Sequence, residues 1–230
     1  IYAVKETIPA DKNYYTLTVD DAHKVTGTDD AVLVKAGGTM TNTLSLGSLT
    51  IEKVIEDVSD ESYDVSFGFT VKLNGEGNGV PATVTVASTT KTGTATVSNL
   101  PVGSYTVKET LVAGWSVDEA TKSASVTTNG GSVTFKNTRQ LYPLTVTKQW
   151  VDGENKPLEE KDQPDKLTVT ITRSTNSQQI EMIETLTKED DLTEAKGEWT
   201  KTLPNLPRFA PDGTVYTYAV SESLQSGYEQ

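Results

Sequence analysis

Three polar residues of this 230-residue chain fall where strand alternation aims them at an apolar face: Lys53, Glu109 and Asn137. Side chains two apart on a β-strand share a face. Leu49 and Ile51 put Lys53 on theirs, Tyr105 and Val107 put Glu109 on theirs, and Val133 and Phe135 put Asn137 on theirs. An unpaired buried charge is costly, so inward groups from three strands need one another. Two readings follow. In the first, Lys53 and Glu109 form a buried ion pair and Asn137 satisfies spare hydrogen bonds, an arrangement that is tolerated but weakly stabilising. In the second, the three react. Desolvation disfavours charged lysine and leaves a nucleophilic amine. A buried glutamic acid keeps its proton for the same reason; it can hydrogen-bond the Asn137 carboxamide, polarise its carbonyl and shuttle protons. Attack of Lys53 on Asn137 would release ammonia and leave a neutral Lys–Asn amide, an isopeptide bond.

The elements that must position these residues repeat along the chain. The pattern Y-x-V-x-E occurs at Tyr2 to Glu6, Tyr105 to Glu109 and Tyr218 to Glu222, each time with β-formers at alternate positions. Leu49 to Lys53 and Leu144 to Lys148 share L-T-[IV]-x-K; Asn99-Leu100-Pro101 and Asn205-Leu206-Pro207 share N-L-P. Gly114-Trp115 is matched by Gly227-Tyr228, and Asn42-Thr43 by Asn137-Thr138. All these landmarks occur in the middle of the chain. Its start has only the closing ones and its end only the opening ones. The expected organisation is the C-terminal part of a first domain over 1–47, a complete domain over 48–139 and a third domain lacking its last strand over 140–230. Leu44 to Ser48 and Thr138 to Pro143 read as short linkers. Short strands with regular turn signals and no convincing helix predict an all-β chain of tandem sandwiches.

Composition removes several function classes. The formal net charge is −12, which argues against nucleic acid and against an anionic membrane surface. With no cysteine and one histidine, His23, neither a thiolate nor a His-clustered metal centre can form. No apolar run approaches membrane-span length. The Gly-rich loop Asn74 to Gly79 lacks the Lys-Ser/Thr of a phosphate loop and reads as a hairpin turn. No motif calls for a cofactor, and no set of residues suggests enzyme turnover. Trp115, Trp150 and Trp199 could form a ligand platform, but parity and the repeat assign Trp150 and Trp115 to cores.

The ordered landmarks resemble the Cna B-type repeats of Gram-positive surface adhesins and pilins. The third unit is the nearest match, with Leu144 to Trp150 opening it and Asp212-Gly213 leading into Tyr218 to Glu222. The resemblance implies prealbumin-like or Ig-like sandwiches in an elongated array. It also implies an intramolecular isopeptide bond in which a first-strand lysine joins a last-strand asparagine under an acidic catalyst. Lys53, Glu109 and Asn137 match those roles. Lys148 and Glu222 match the first two in the third unit, whose asparagine would lie beyond Gln230, and Glu6 and Asn42 match the last two in the first. The implied function is a stalk or shaft section on a Gram-positive cell surface, its partners being neighbouring domains of one longer chain. The alternative is a domain that itself grips host matrix protein or glycan.

Overall fold

A computed structural model describes residues 3–5, 15–20, 23, 33–35, 37–59, 61–187, 197–223 and 226–228. In chain order the strands are β1 (Ala3–Lys5), β2 (Tyr15–Val19), β3 (Leu33–Lys35), β4 (Met40–Leu44), β5 (Leu46–Glu56) and β6 (Asp64–Leu73). They continue with β7 (Val80–Ala87), β8 (Thr92–Pro101), β9 (Gly103–Glu109), β10 (Trp115–Val117), β11 (Thr121–Val126) and β12 (Gly131–Arg139). The last are β13 (Leu141–Gln149), β14 (Lys166–Ser174), β15 (Gln179–Thr187), β16 (Glu198–Pro207) and β17 (Thr217–Glu222). The chain is all-β, as the strand pattern predicts.

It divides into two compact units. One comprises Ile1–Ile55, Asp64–Leu111 and Val117–Asn137; the other comprises Glu56–Tyr63, Val112–Ser116 and Thr138–Gln230. Both expected linkers are corrected. β4 ends at Leu44 and β5 begins at Leu46, while β12 runs to Arg139 and β13 begins at Leu141. Backbone pairing absorbs those residues, with Leu46 opposite Pro101 and Leu141 opposite Pro207.

In the first unit, two four-stranded sheets form a sandwich, one ordered β10-β12-β5-β8 and the other β11-β9-β6-β7. Alternation supplies the core. Leu49 and Ile51 on β5, Phe67 and Phe69 on β6, Val107 on β9 and Phe135 on β12 are all buried. Pairing fixes the register: Val107 lies opposite Val71, and Glu109 opposite Phe69. Two-stranded sheets β1-β3 and β2-β4 precede the sandwich.

N-L-P closes a strand in both units. The β5–β8 register slips between Gly47/Leu100 and Leu49/Val97, and Asn99 in that bulge has φ of 58°. The β13–β16 register slips between Tyr142/Leu206 and Leu144/Leu203, where Asn205 has φ of 60°. Asparagine tolerates this left-handed conformation better than other residues bearing a Cβ. The Tyr105 hydroxyl then donates to the Pro101 carbonyl at 2.7 Å, and the Tyr218 hydroxyl to that of Pro207. N-L-P and Y-x-V-x-E therefore recur together because a tyrosine hydroxyl ties the bulged strand to the next.

The second unit pairs β13 with β16 and orders β15-β14-β17. Its core centres on Trp150, Leu167, Ile171, Leu186 and Trp199. Trp150 meets Trp199 and Tyr228 edge-on at 5.1 and 5.0 Å, and the Trp199 indole N–H donates to Gln163 Oε1 at 2.7 Å. Gly114 and Gly227, which precede the matched aromatics, have φ of 84° and 88°, a conformation only glycine adopts freely.

At one seam of the first sandwich, β8 passes close to β7 of the facing sheet. Gly93 on β8 pairs with Lys53 on β5, and a Cβ on Gly93 would lie 2.4 Å from the Thr85 carbonyl oxygen. That oxygen belongs to paired backbone and cannot swing away. Gly93→Ala should therefore lower stability by about 1–3 kcal/mol, read as a lower urea midpoint for the full chain.

Candidate functional site

The first unit brings Lys53, Glu109 and Asn137 together. β5 and β12 are neighbours in one sheet and β9 lies in the facing sheet, so the three side chains meet across the core. Lys53 Nζ donates to Glu109 Oε2 at 2.7 Å, and Asn137 Nδ2 donates to Glu109 Oε1 at 2.6 Å. All three are buried: Lys53 is 0% exposed, Glu109 1% and Asn137 2%. Asn137 Oδ1 is buried with no hydrogen-bond partner among the described residues.

Around the ammonium stand three aromatic rings. Lys53 Nζ lies 4.4 Å from the centroid of Phe67 and 5.9 Å from those of Phe69 and Phe135. Ring faces attract a cation, but they replace water far from completely. Burial therefore pushes the Lys53 pKa below the ordinary 10.5, and the hydrogen bond and charge of Glu109 oppose that shift without cancelling it. The geometry thus joins a lysine biased towards its neutral amine, a carboxyl group touching both partners, and a carboxamide. The carboxamide touches Glu109 through its nitrogen, the atom that would leave. A half-turn would exchange Nδ2 for Oδ1 and turn the carbonyl oxygen towards Glu109 instead.

The other matched residues are placed differently. In the second unit, Lys148 Nζ meets Glu222 Oε1 at 2.8 Å, with the Trp150 ring 4.9 Å from the ammonium. That pair is half-buried, its side chains 23% and 21% exposed. Asn42 lies on β4 opposite Leu17, with an exposed side chain. Glu6 lies outside the described residues.

Sequence reasoning missed two parts of the first site. Phe67 was legible in the run Val65-Phe67-Phe69-Val71, which alternates inward on β6. Lys122 was legible in the same way. It shares a face with Ala124 and Val126 on β11 and pairs with Val107, so its stem also starts on the inward side. Its ammonium donates to Asp118 Oδ2 at 2.6 Å and to the Thr134 carbonyl at 2.8 Å, and lies 5.1 Å from the Phe135 centroid.

The second unit holds another buried charged cluster. Arg173 Nη1 lies 2.6 Å and Arg139 Nη2 3.6 Å from the carboxylate of Glu61. Burial raises the Glu61 pKa, and the two guanidiniums oppose that rise. The contacts are guanidinium to carboxylate, with no amine beside the carboxyl group as in the first site, and the cluster reads as structural. The tryptophans are buried, Trp115 at 6%, Trp150 at 2% and Trp199 at 0%, and so form no surface platform. Among the described residues no group of His, Cys, Asp or Glu could hold a metal ion, and no helix is long and apolar enough to cross a membrane.

Family models match two stretches of the sequence. Residues 144–230 match the Cna protein B-type domain, and residues 47–139 match the prealbumin-like fold domain. Over these residues the chain is similar to the Cna B-type and prealbumin-like domains. Among solved structures it is similar to the major pilin from Streptococcus pyogenes, at 18% identity over 77% of this chain and 82% of that one, with a TM-score of 0.42. The major pilin protein T-13 from the same organism gives 15% identity over 81% and 86%, with a TM-score of 0.44. The Bacillus anthracis TIE protein gives 19% identity over 91% and 38%, with a TM-score of 0.37. No curated protein sequence matches the chain.

Glu109→Gln isolates the lysine. Removing the carboxylate leaves a buried charge without a counter-ion, at a cost of about 3–5 kcal/mol. Burial then acts on Lys53 with only the lesser pull of Asp118 against it. Between its depressed folded pKa and the ordinary 10.5, the unfolded chain binds the proton and the folded chain does not. Stability must rise with pH across that window and lie lowest below it. Urea midpoints of Glu109→Gln should climb from neutral pH towards 10.5; a flat or falling series would contradict this account of the site.

Proposed function

We propose that this chain is a section of a stalk or pilus-like shaft on a Gram-positive cell surface, its middle domain closed by an amide bond between Lys53 and Asn137. One observation carries this reading. A single buried carboxyl group touches both the amine and the carboxamide, at 2.7 and 2.6 Å, inside a box of aromatic rings. The repeat family supplies the architectural setting. The working partners are then neighbouring repeats of one longer chain and other subunits of the same shaft.

The chemistry balances without a cofactor. The neutral Lys53 amine attacks Asn137 Cγ, forming a C–N bond. Glu109 takes a proton from the attacking nitrogen and delivers one to the carboxamide nitrogen. The original C–N bond breaks and ammonia leaves. Each chain reacts once, so the Lys53–Glu109–Asn137 set is self-modifying and turns over no substrate. By analogy Lys148 and Glu222 would serve a second bond, and Glu6 and Asn42 a third.

The mechanical consequence follows from topology. Tension along tandem domains enters each by its first strand and leaves by its last. Here those strands are β5 and β12, hydrogen-bonded neighbours. A covalent tie between them carries the load past the rest of the sandwich. It also closes most of the domain into a loop, which by chain-entropy arithmetic stabilises it by about 4–5 kcal/mol.

The test is intact mass. The 230-residue chain should be lighter than its sequence by at least one ammonia. Lys53→Ala and Glu109→Ala should each regain the mass of one ammonia. Full sequence mass in the wild type would sink the covalent reading.

A further inference from the structure

Outside the three reacting groups, one charged pair stands beside the site. Lys122 begins on the edge strand β11 of one sheet, and its head reaches the other sheet, where Thr134 O on β12 and Asp118 after β10 accept its protons. It therefore bridges the sandwich at the seam opposite the close approach of Gly93 to Thr85. Asp118 is itself fixed. Its Oδ1 accepts from the backbone N–H of Glu119 at 2.8 Å and of Lys136 at 3.2 Å. The side chain of Lys122 is 20% exposed, so its charge is partly screened by water and partly directed inward.

The inward neighbour is Phe135. Its centroid lies 5.1 Å from the Lys122 ammonium and 5.9 Å from the Lys53 ammonium, so two cations share one ring. The charged groups that act on Lys53 are Glu109 on β9, Asp118 after β10 and Lys122 on β11. β6 faces it with the rings of Phe67 and Phe69, and β12 with Phe135 and the uncharged Asn137. Like charge works against a protonated Lys53 and opposite charge works for it.

We propose that Lys122 and Asp118 are positioning residues of the cross-linking site: together they span the seam beside Phe135 and set the field in which Lys53 loses its proton. Lys122 drives that loss, and Asp118 restrains it. The proposal rests on the covalent reading above and adds to it two residues that touch neither reacting atom.

The experiment follows ammonia loss in the full chain. Freshly synthesised protein from a short cell-free pulse is shifted into buffers of stepped pH, and intact mass is read against time. The wild-type rate should rise with pH as Lys53 deprotonates. Lys122→Met should move that rise to higher pH by about half a unit, a roughly threefold loss of rate on the acid side. Asp118→Asn, which keeps its backbone hydrogen bonds, should move it to lower pH. Lys122→Arg keeps the charge and should keep the wild-type profile. Opposite shifts are the distinguishing result, because both neutralising variants break the same ion pair. If the pair were only structural, they would slow the reaction alike at every pH, and that outcome overturns the proposal. So do shifts in the same direction, or none. A wild type that never loses ammonia overturns the covalent reading and this proposal with it.

Discussion

The dehydration of one ammonium group constrains the rest of the first unit. Lys53 is fully buried beneath Phe67, Phe69 and Phe135, and its surroundings are built to tolerate that. The rings offer their negative faces, Glu109 supplies the opposing charge, and Asn137 takes up the second carboxylate oxygen. Even so, burial weighs against the charged form and lowers the lysine pKa. Two chemistries relieve such a group. It can lose its proton and remain a buried amine, or it can become an amide, which is permanently neutral and needs no counter-ion. The second is irreversible and, between Lys53 and Asn137, would join β5 to β12.

Much of this was legible in the sequence because strand parity is a strict rule. Lys53, Glu109 and Asn137 each follow two apolar residues at a spacing of two, and the side chains of a pleated strand cannot do otherwise than share that face. Parity assigns faces within a strand and says nothing of which strands meet. That β5 and β12 lie side by side while β9 faces them comes from long-range pairing. The same gap explains why Lys122 escaped notice. Its inward start was readable from Ala124 and Val126, but its partners, Asp118 and Thr134, are reached only across the seam.

The linkers were misread for a related reason. Leu44 to Ser48 and Thr138 to Pro143 have loop-like composition, yet β5 and β13 begin within them. Pairing to Pro101 and Pro207 extends both strands past what their own residues favour. Asparagine and proline are common turn formers. In the fold, Asn99 and Asn205 use that turn conformation to make a bulge inside a strand, and the bulge presents the proline carbonyl to Tyr105 and Tyr218. A motif that looks like punctuation is a means of fastening two strands.

The two lysine–glutamate pairs separate geometry from environment. Their contact distances are nearly equal, 2.7 Å for Lys53–Glu109 and 2.8 Å for Lys148–Glu222. Distance alone would give them the same reactivity. Exposure divides them, at 0% for both side chains of the first pair and 23% and 21% for the second. Where water reaches an ion pair it solvates both charges, and the pair gains little by becoming neutral. Where water is excluded, neutralisation removes a penalty of several kcal/mol per ion. Among the described residues the Lys148 ammonium has one aromatic ring within reach, Trp150, where Lys53 has three. A third group that shut water out of the Lys148 pair would therefore do more for its reactivity than any shortening of the contact. In the first unit Asn137 and Phe135 do that from one strand, β12, so the strand that carries the carboxamide also dries the site.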